Sequence, residues 1–175
     1  MWRSAPKTVI TLLLGALLAA LMGLLLPVPS AQASGDDYPY RTQTNVSASD
    51  RWGFTQRQCV SFAAWRMEQR GHRINNGTQH WGSGYHWDEA ARAIGKRVTA
   101  TPKVGAIAQW NANESSKYYA PNGGIGTIKS GSQGHVAYVS KLYSDGSVLI
   151  EQYNMSGNRA YSLMRVKAPR YIYVY

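Results

Sequence analysis

Cys59 is the only cysteine in the 175-residue chain, and it lies in the stretch Trp52-Gly53-Phe54-Thr55-Gln56-Arg57-Gln58-Cys59-Val60-Ser61-Phe62-Ala63-Ala64-Trp65. A thiol does hydrolytic chemistry when an imidazole takes and returns its proton and a polar group orients that imidazole. The chain offers a candidate for each part. His135 follows Gly131-Ser132-Gln133-Gly134, and Glu151 and Asn154 lie in Ile150-Glu151-Gln152-Tyr153-Asn154. The competing reading of Cys59 is an inert core cysteine beside Val60 and Phe62, and the segment alone leaves both open.

The elements that must position these residues are partly legible. Thr55 and Gln58 fit a capping box, with Thr55 as N-cap and Gln58 three residues on. Cys59, Phe62, Ala63 and Met67 then recur at helical spacing, and Gly71 is a plausible stop. This puts Cys59 in the first turn, where free amides and the helix dipole favour an anion and lower a thiol pKa. His135–Ser140 reads as a strand, Asp145-Gly146 as a hairpin turn, and Val148–Tyr153 as the antiparallel return. With that turn at the centre, His135 faces Ser156, Asn154 faces Ala137, and Glu151 faces Ser140. Five residues at roughly 3.4 Å each separate Ser140 from His135, and Glu151 points to the other face. The ideal register favours Asn154 as the orienting residue, whereas a bulge would bring Glu151 nearer.

The remaining segments read as loops and short elements. Residues 72–85 are Gly- and Asn-rich loop, and a short helix runs from Trp87 to Ile94 with Asp88 and Glu89 in its first turn. Val104–Trp110 is strand-like, residues 111–134 form a long polar loop, and Arg170–Tyr175 is the last strand. Helices packed on an antiparallel sheet make an α+β domain. His72, His80 and His86 read as loop histidines, without metal-ligand spacing.

Three segments follow from composition. Arg3 and Lys7, the apolar run Val9–Leu26 and the small-residue site Ala31-Gln32-Ala33 have the layout of a secretory signal peptide over residues 1–33, cut after Ala33. A retained membrane anchor is the competing reading of the same run. Residues 34–49 are polar and read as a tether or extended arm, and the domain proper covers 50–175. The mature chain is expected to be secreted, wall-associated and monomeric. Without Arg3 and Lys7 the 19 basic residues become 17 against 9 acidic, a charge of +8. That charge draws the chain to polyanions such as anionic cell-wall polymers. The scattered basic residues and the lack of a binding motif argue against nucleic acid. All twelve Tyr and five of six Trp follow residue 33, and Trp52, Trp110, Tyr118 and Tyr119 are the candidates for walling a substrate groove.

The blocks Trp52-Gly53-Phe54, Arg57-Gln58-Cys59-Val60-Ser61-Phe62-Ala63-Ala64-Trp65-Arg66, Pro102-Lys103-Val104-Gly105-Ala106-Ile107-Ala108, Gly134-His135-Val136-Ala137-Tyr138-Val139 and Ile150-Glu151-Gln152-Tyr153-Asn154 occur in this order. Together they resemble a CHAP domain, the cysteine-, histidine-dependent amidohydrolase/peptidase of the papain-like NlpC/P60 superfamily. The resemblance implies a papain-like α+β fold, with Cys59 as nucleophile and His135 as general base and acid. Glu151 would orient His135, Asn154 would be a further polar member, and Gln58 is a candidate to help hold the oxyanion. Many family members place the asparagine two residues after the glutamate, whereas here the interval is three, so the orienting residue stays open between Glu151 and Asn154. Relatives often carry Asp where this chain has Ala106. The chemistry needs no cofactor or metal, and the acids here are too sparse for the calcium site some members hold. The implied activity is cleavage of peptidoglycan amide bonds, as an N-acetylmuramoyl-L-alanine amidase or an endopeptidase. The alternatives are a non-catalytic wall-binding protein of the same fold, or an amide hydrolase or toxin acting elsewhere.

Overall fold

A computed structural model describes residues 35–45 and 47–175. The signal-peptide expectation, with its cut site, falls outside the described residues. Helix α1 spans Cys59–Glu68, α2 Asn76–Gln79 and α3 Trp87–Ala93, with a 3-10 turn at Gly84–His86 before α3. The strands are β1 Arg97–Thr99, β2 Ile107–Trp110, β3 Ser115–Tyr119, β4 Ile125–Lys129, β5 His135–Leu142, β6 Val148–Tyr153, β7 Tyr161–Lys167 and β8 Arg170–Tyr173. They form one antiparallel sheet in the order β1-β8-β2-β5-β6-β7-β3-β4.

The entry to α1 is built differently from a capping box. The N-cap is Gln58, which makes no side-chain cap bond, while Thr55 forms a bridge with Ser49. A buried carboxylate shapes the turn instead. Asp50 Oδ1 accepts the Trp52 and Phe54 amides, each at 2.8 Å, and the Asp50 amide donates to the Phe54 carbonyl at 2.7 Å. Ser61 Oγ donates to Asp50 Oδ2 and is itself bonded to the Tyr38 hydroxyl. The turn is thereby tied to the first turn of the helix. At the far end the Gly71 amide bonds the Glu68 carbonyl and the His72 amide that of Met67, with Gly71 at φ +77°. This is a glycine stop of the Schellman type.

The two faces of the sheet carry separate cores. Ile107, Val136, Tyr138, Tyr153 and Ile172 point to α1 and pack with Phe62, Ala63, Trp65, Met67, Trp81 and Trp87. Alternate residues Ala108, Trp110, Ala137, Val139, Ile150 and Tyr171 form the core of the opposite face. Helix α1 is buried along almost its whole length, so its sequence is apolar beyond a single stripe.

Two sequence expectations are corrected here. The segment before Asp50 is no tether. Tyr38 is fully buried, its ring in edge contact with Phe62 and Trp65 and tilted against Tyr153. The Tyr153 hydroxyl donates to Asp36 at 2.5 Å, and Arg66 pairs with Asp37 at 2.9 Å. Two tyrosines among polar residues give no periodic signal, yet the Tyr38 ring contributes roughly 2 kcal/mol of burial. The polar stretch 111–134 is likewise a hairpin, with Tyr119 opposite Ile125 and Gly123 at φ +87° in the turn. Its polarity reflects an exposed outer strand. Strands β1 and β7 both lie outside the sequence expectations.

Candidate active site

Cys59 is the first residue of α1 and is partly exposed. Burial pushes its thiol pKa up. The backbone amides of Val136, Val60 and Cys59 itself pull it back, without cancelling the effect. The helix start therefore acts as expected, but desolvation wins. The Val136 contact places the sulfur against the start of β5, one residue from His135.

His135 opens β5, where it pairs with Trp110, and the two rings lie 5.9 Å apart. Close backbone packing sets its position. A Cβ on Gly84 would come within 2.8 Å of the His135 nitrogen, and one on Gly134 within 2.5 Å of the Tyr85 nitrogen and 2.6 Å of the Trp110 carbonyl. Gly134 also has φ +65°. Gln109 Nε2 donates to the Gly84 carbonyl at 3.0 Å, and the Tyr85 amide to the Gln133 carbonyl at 3.1 Å. These bonds hold the Gly82–Tyr85 segment onto the strand.

The hairpin register decides which polar residue reaches the imidazole. Tyr138 pairs with Glu151 and Val139 with Ile150, and the register shifts between Val139 and Lys141. Gln152, next along β6, therefore lies on the face of His135, and Glu151 on the opposite face. Gln152 is the side chain that opposes the burial effect on His135, raising its pKa. His135 Nε2 is buried with no hydrogen-bond partner among the described residues. Gln152 Nε2 donates to Ser162 Oγ, and its Oε1 accepts the Met155 amide at 3.0 Å, so the atom it offers the imidazole is the acceptor Oε1. Burial lowers the His135 pKa from 6.5 to about 3, against the opposing effect of Gln152. The imidazole rests neutral, with Nε2 as the bare acceptor.

Glu151 is corrected accordingly. It is buried and paired with Arg66, which also holds Asp37. Asn154 lies past the end of β6 at φ +65°, a conformation asparagine tolerates. Its Oδ1 accepts the Arg159 amide at 2.7 Å and its Nδ2 donates to Gln58 Oε1 at 2.6 Å. It orients Gln58 rather than His135. Gln58 Nε2 has no partner among the described residues, and Gln58 and Cys59 line both halves of one cleft.

That cleft is walled mainly by glycine-rich loops. The larger half, about 590 Å³, is bounded by Phe54, Thr55, Asn76, Ser83 and Gln133. The smaller, about 230 Å³, includes Ser132, His135, Asn154 and Met155. The aromatic candidates lie elsewhere. Trp52 and Trp110 are core side chains, with Trp110 Nε1 donating to Ser116 at 2.9 Å. Tyr118 and Tyr119 line a separate groove with Tyr143 and Leu163. Gln152 was missed, although its place two residues before Asn154 was the available signal. Among the described residues no three His, Cys, Asp or Glu side chains cluster closely enough to hold a metal ion.

The CHAP domain model matches residues 49–154. The N-acetylmuramoyl-L-alanine amidase sle1 of Staphylococcus epidermidis is 33% identical over 112 residues, covering 62% of this chain and 28% of that protein. The staphylococcal secretory antigen SsaA of Staphylococcus aureus is 33% identical over 114 residues, covering 65% and 35%. The match thus spans only about a third of these relatives' length. A crystal structure of an N-acetylmuramoyl-L-alanine amidase from Staphylococcus aureus superposes with a TM-score of 0.58 at 26% identity, over 81% of this chain and 36% of that one. The family match covers more than half of the sequence and takes in Cys59, His135 and Gln152, and on it the chain belongs to the CHAP domain family.

Proposed function

We propose that the protein is a secreted hydrolase of peptidoglycan amide bonds, with Cys59 as nucleophile and His135 as general base and acid. The observation that carries this reading is the cleft lined by both Cys59 and His135, whose buried Nε2 has no hydrogen-bond partner among the described residues. In acylation Sγ attacks the amide carbonyl carbon and Nε2 takes the thiol proton. Nε2–H then protonates the departing amine, leaving a thioester. Water, deprotonated by Nε2, adds to the thioester and Cys59 leaves. Gln152 holds the ring in the Nδ1–H tautomer and accepts from it while the imidazolium forms. The oxyanion is held by amides at the start of α1 and by Gln58 Nε2, which Asn154 aims by fixing Oε1.

The amidase names of the relatives support a glycan–peptide amide as the bond cut, and the secretory-antigen name supports export. Purified protein is expected to clear a peptidoglycan suspension, and Cys59→Ala to abolish clearing with the fold retained. Mass spectrometry of the fragments separates an amidase, which frees intact stem peptides, from an endopeptidase. Equal clearing by the Cys59→Ala protein would reject the assignment, and binding without any released fragment would support a non-catalytic wall-binding protein instead.

A further inference from the structure

At the opposite end of α1 from the thiol lies a second groove of about 410 Å³, lined by Gln69, Arg70, His72, Lys103, Val104 and Tyr175. A ten-residue helix puts roughly 15 Å between its two ends, so this groove is separate from the cleft. We propose that it binds a phosphodiester polymer of the polyol type, and so docks the protein on an anionic polymer independently of the thiol chemistry.

Unbalanced charge is the first argument. All nine acidic residues of the chain lie among the described residues. The ion pairs formed there engage Arg51, Arg66, His86, Arg92, Arg165 and Arg170, and none engages Arg70, His72, Arg97 or Lys103. Among the described residues no Asp or Glu side chain pairs with Arg70, Arg97 or Lys103, which leaves these cations to an external anion.

Arrangement is the second. Tyr173 and Tyr175 stack at 5.7 Å with their planes 9° apart. Lys103 Nζ sits 4.9 Å from the Tyr175 ring centre and 5.8 Å from that of Tyr173, and the Arg97 guanidinium 5.6 Å from Tyr173. Arg70 is held by the Tyr138 hydroxyl at 2.7 Å. Each of these cations is therefore steadied by an aromatic ring or a hydroxyl, which lowers the entropic cost of engaging an anion. Guanidinium groups suit phosphate oxygens by two parallel bonds.

The same geometry selects among polyanions. A single-stranded nucleic acid gains much of its affinity by stacking bases on aromatic faces. Here the tyrosines stack on each other and carry cations over their rings, so base stacking is obstructed. A polyol phosphate needs only the charges.

The test is binding of the purified chain to a synthetic glycerol phosphate oligomer, with single-stranded DNA and polyglutamate of equal charge as parallel probes. The Arg97→Gln/Lys103→Gln double variant is compared with Lys117→Gln/Lys129→Gln, which removes the same charge from the β3–β4 hairpin at the other end of the strand order. The proposal expects the oligomer to bind tightest. It also expects the first double variant to lose roughly tenfold in affinity and about two in salt slope, and the second to change less than about twofold. Equal losses in both variants would mean diffuse charge attraction and overturn it. So would DNA or polyglutamate binding as tightly as the oligomer, or no binding of the oligomer at all.

Discussion

Gln152 lies on the strand next to His135 and on the same face of the sheet, where it raises the imidazole pKa against the effect of burial. Glu151, one residue earlier, is buried on the opposite face against Arg66. Two adjacent polar residues thus point to opposite faces, Gln152 to that of His135 and Glu151 to that of α1. Gln152→Ala is expected to lower kcat by roughly 10- to 100-fold with little change in KM, since it loosens the tautomer of the base. Glu151→Gln should keep kcat within about threefold and lose about 2–4 kcal/mol of stability, because it leaves Arg66 buried with Asp37 as its remaining acidic partner. Steady-state kinetics and urea unfolding of both variants check the division. The reverse pattern would return the orienting role to Glu151.

How much of this was legible in the sequence depended on whether local pattern or tertiary register set the outcome. Strand β6 and its turn were readable, because alternation and the Asp145-Gly146 turn act locally. The partner of His135 was not, because the turn and the Val139/Lys141 irregularity together move the pairing by two residues, which keeps each residue on its face but brings Gln152 two residues nearer to His135 along the strand. The aromatic groove candidates failed for a related reason. Composition cannot separate a Trp that lines a cleft from one that fills a core, and Trp52 and Trp110 fill the core. The cleft instead falls between glycine-rich loops, whose residues carry little pattern.

The buried neutral imidazole makes stability depend on pH. The His135 pKa is about 3 in the folded protein against an ordinary 6.5. Between those values the unfolded chain binds a proton that the folded chain refuses. Stability from this group is therefore complete above about pH 6.5 and falls as pH drops toward 3, by up to about 1.4 kcal/mol per pH unit. His135→Gln should flatten that part of the profile in urea unfolding between about pH 7 and about pH 4. Parallel profiles for the two proteins would show that His135 is not the titrating group.

The thiol should behave as the other half of an uncharged pair. With burial holding Cys59 above its ordinary value of 9.0, alkylation by iodoacetamide is expected to be slow at neutral pH and to climb through the alkaline range. A preformed thiolate–imidazolium pair would instead give a fast, flat rate from weakly acid pH upward. A pH–rate profile of alkylation distinguishes the two.

Gly134 is the position where the scaffold of the site is least tolerant. Its φ of +65° disfavours any other residue, and an added Cβ would stand 2.5 Å from the Tyr85 nitrogen and 2.6 Å from the Trp110 carbonyl, both backbone atoms that cannot rotate away. Gly134→Ala should cost about 3 kcal/mol or more and displace His135 enough to remove activity. Gly131→Ala, where an added Cβ meets nothing within 4 Å, is the matched control and should leave both within error.

The N-terminal arm offers the sharpest test of where the domain begins. Tyr38 is fully buried among Phe62, Trp65 and Tyr153, and its hydroxyl joins the Ser61–Asp50 network that shapes the entry to Cys59. If residues 35–45 were a tether, Tyr38→Ala would be silent. The packing instead predicts a loss of about 3–5 kcal/mol from the missing ring. Tyr38→Phe removes only the hydroxyl and should cost about 1–2 kcal/mol. Because the hydroxyl also accepts the Arg57 amide at 3.3 Å, two residues before the thiol, Tyr38→Phe should slow alkylation or turnover of Cys59 beyond what its stability loss explains. Denaturation curves and single-turnover rates on the two variants separate the packing contribution of the ring from the positioning contribution of its hydroxyl.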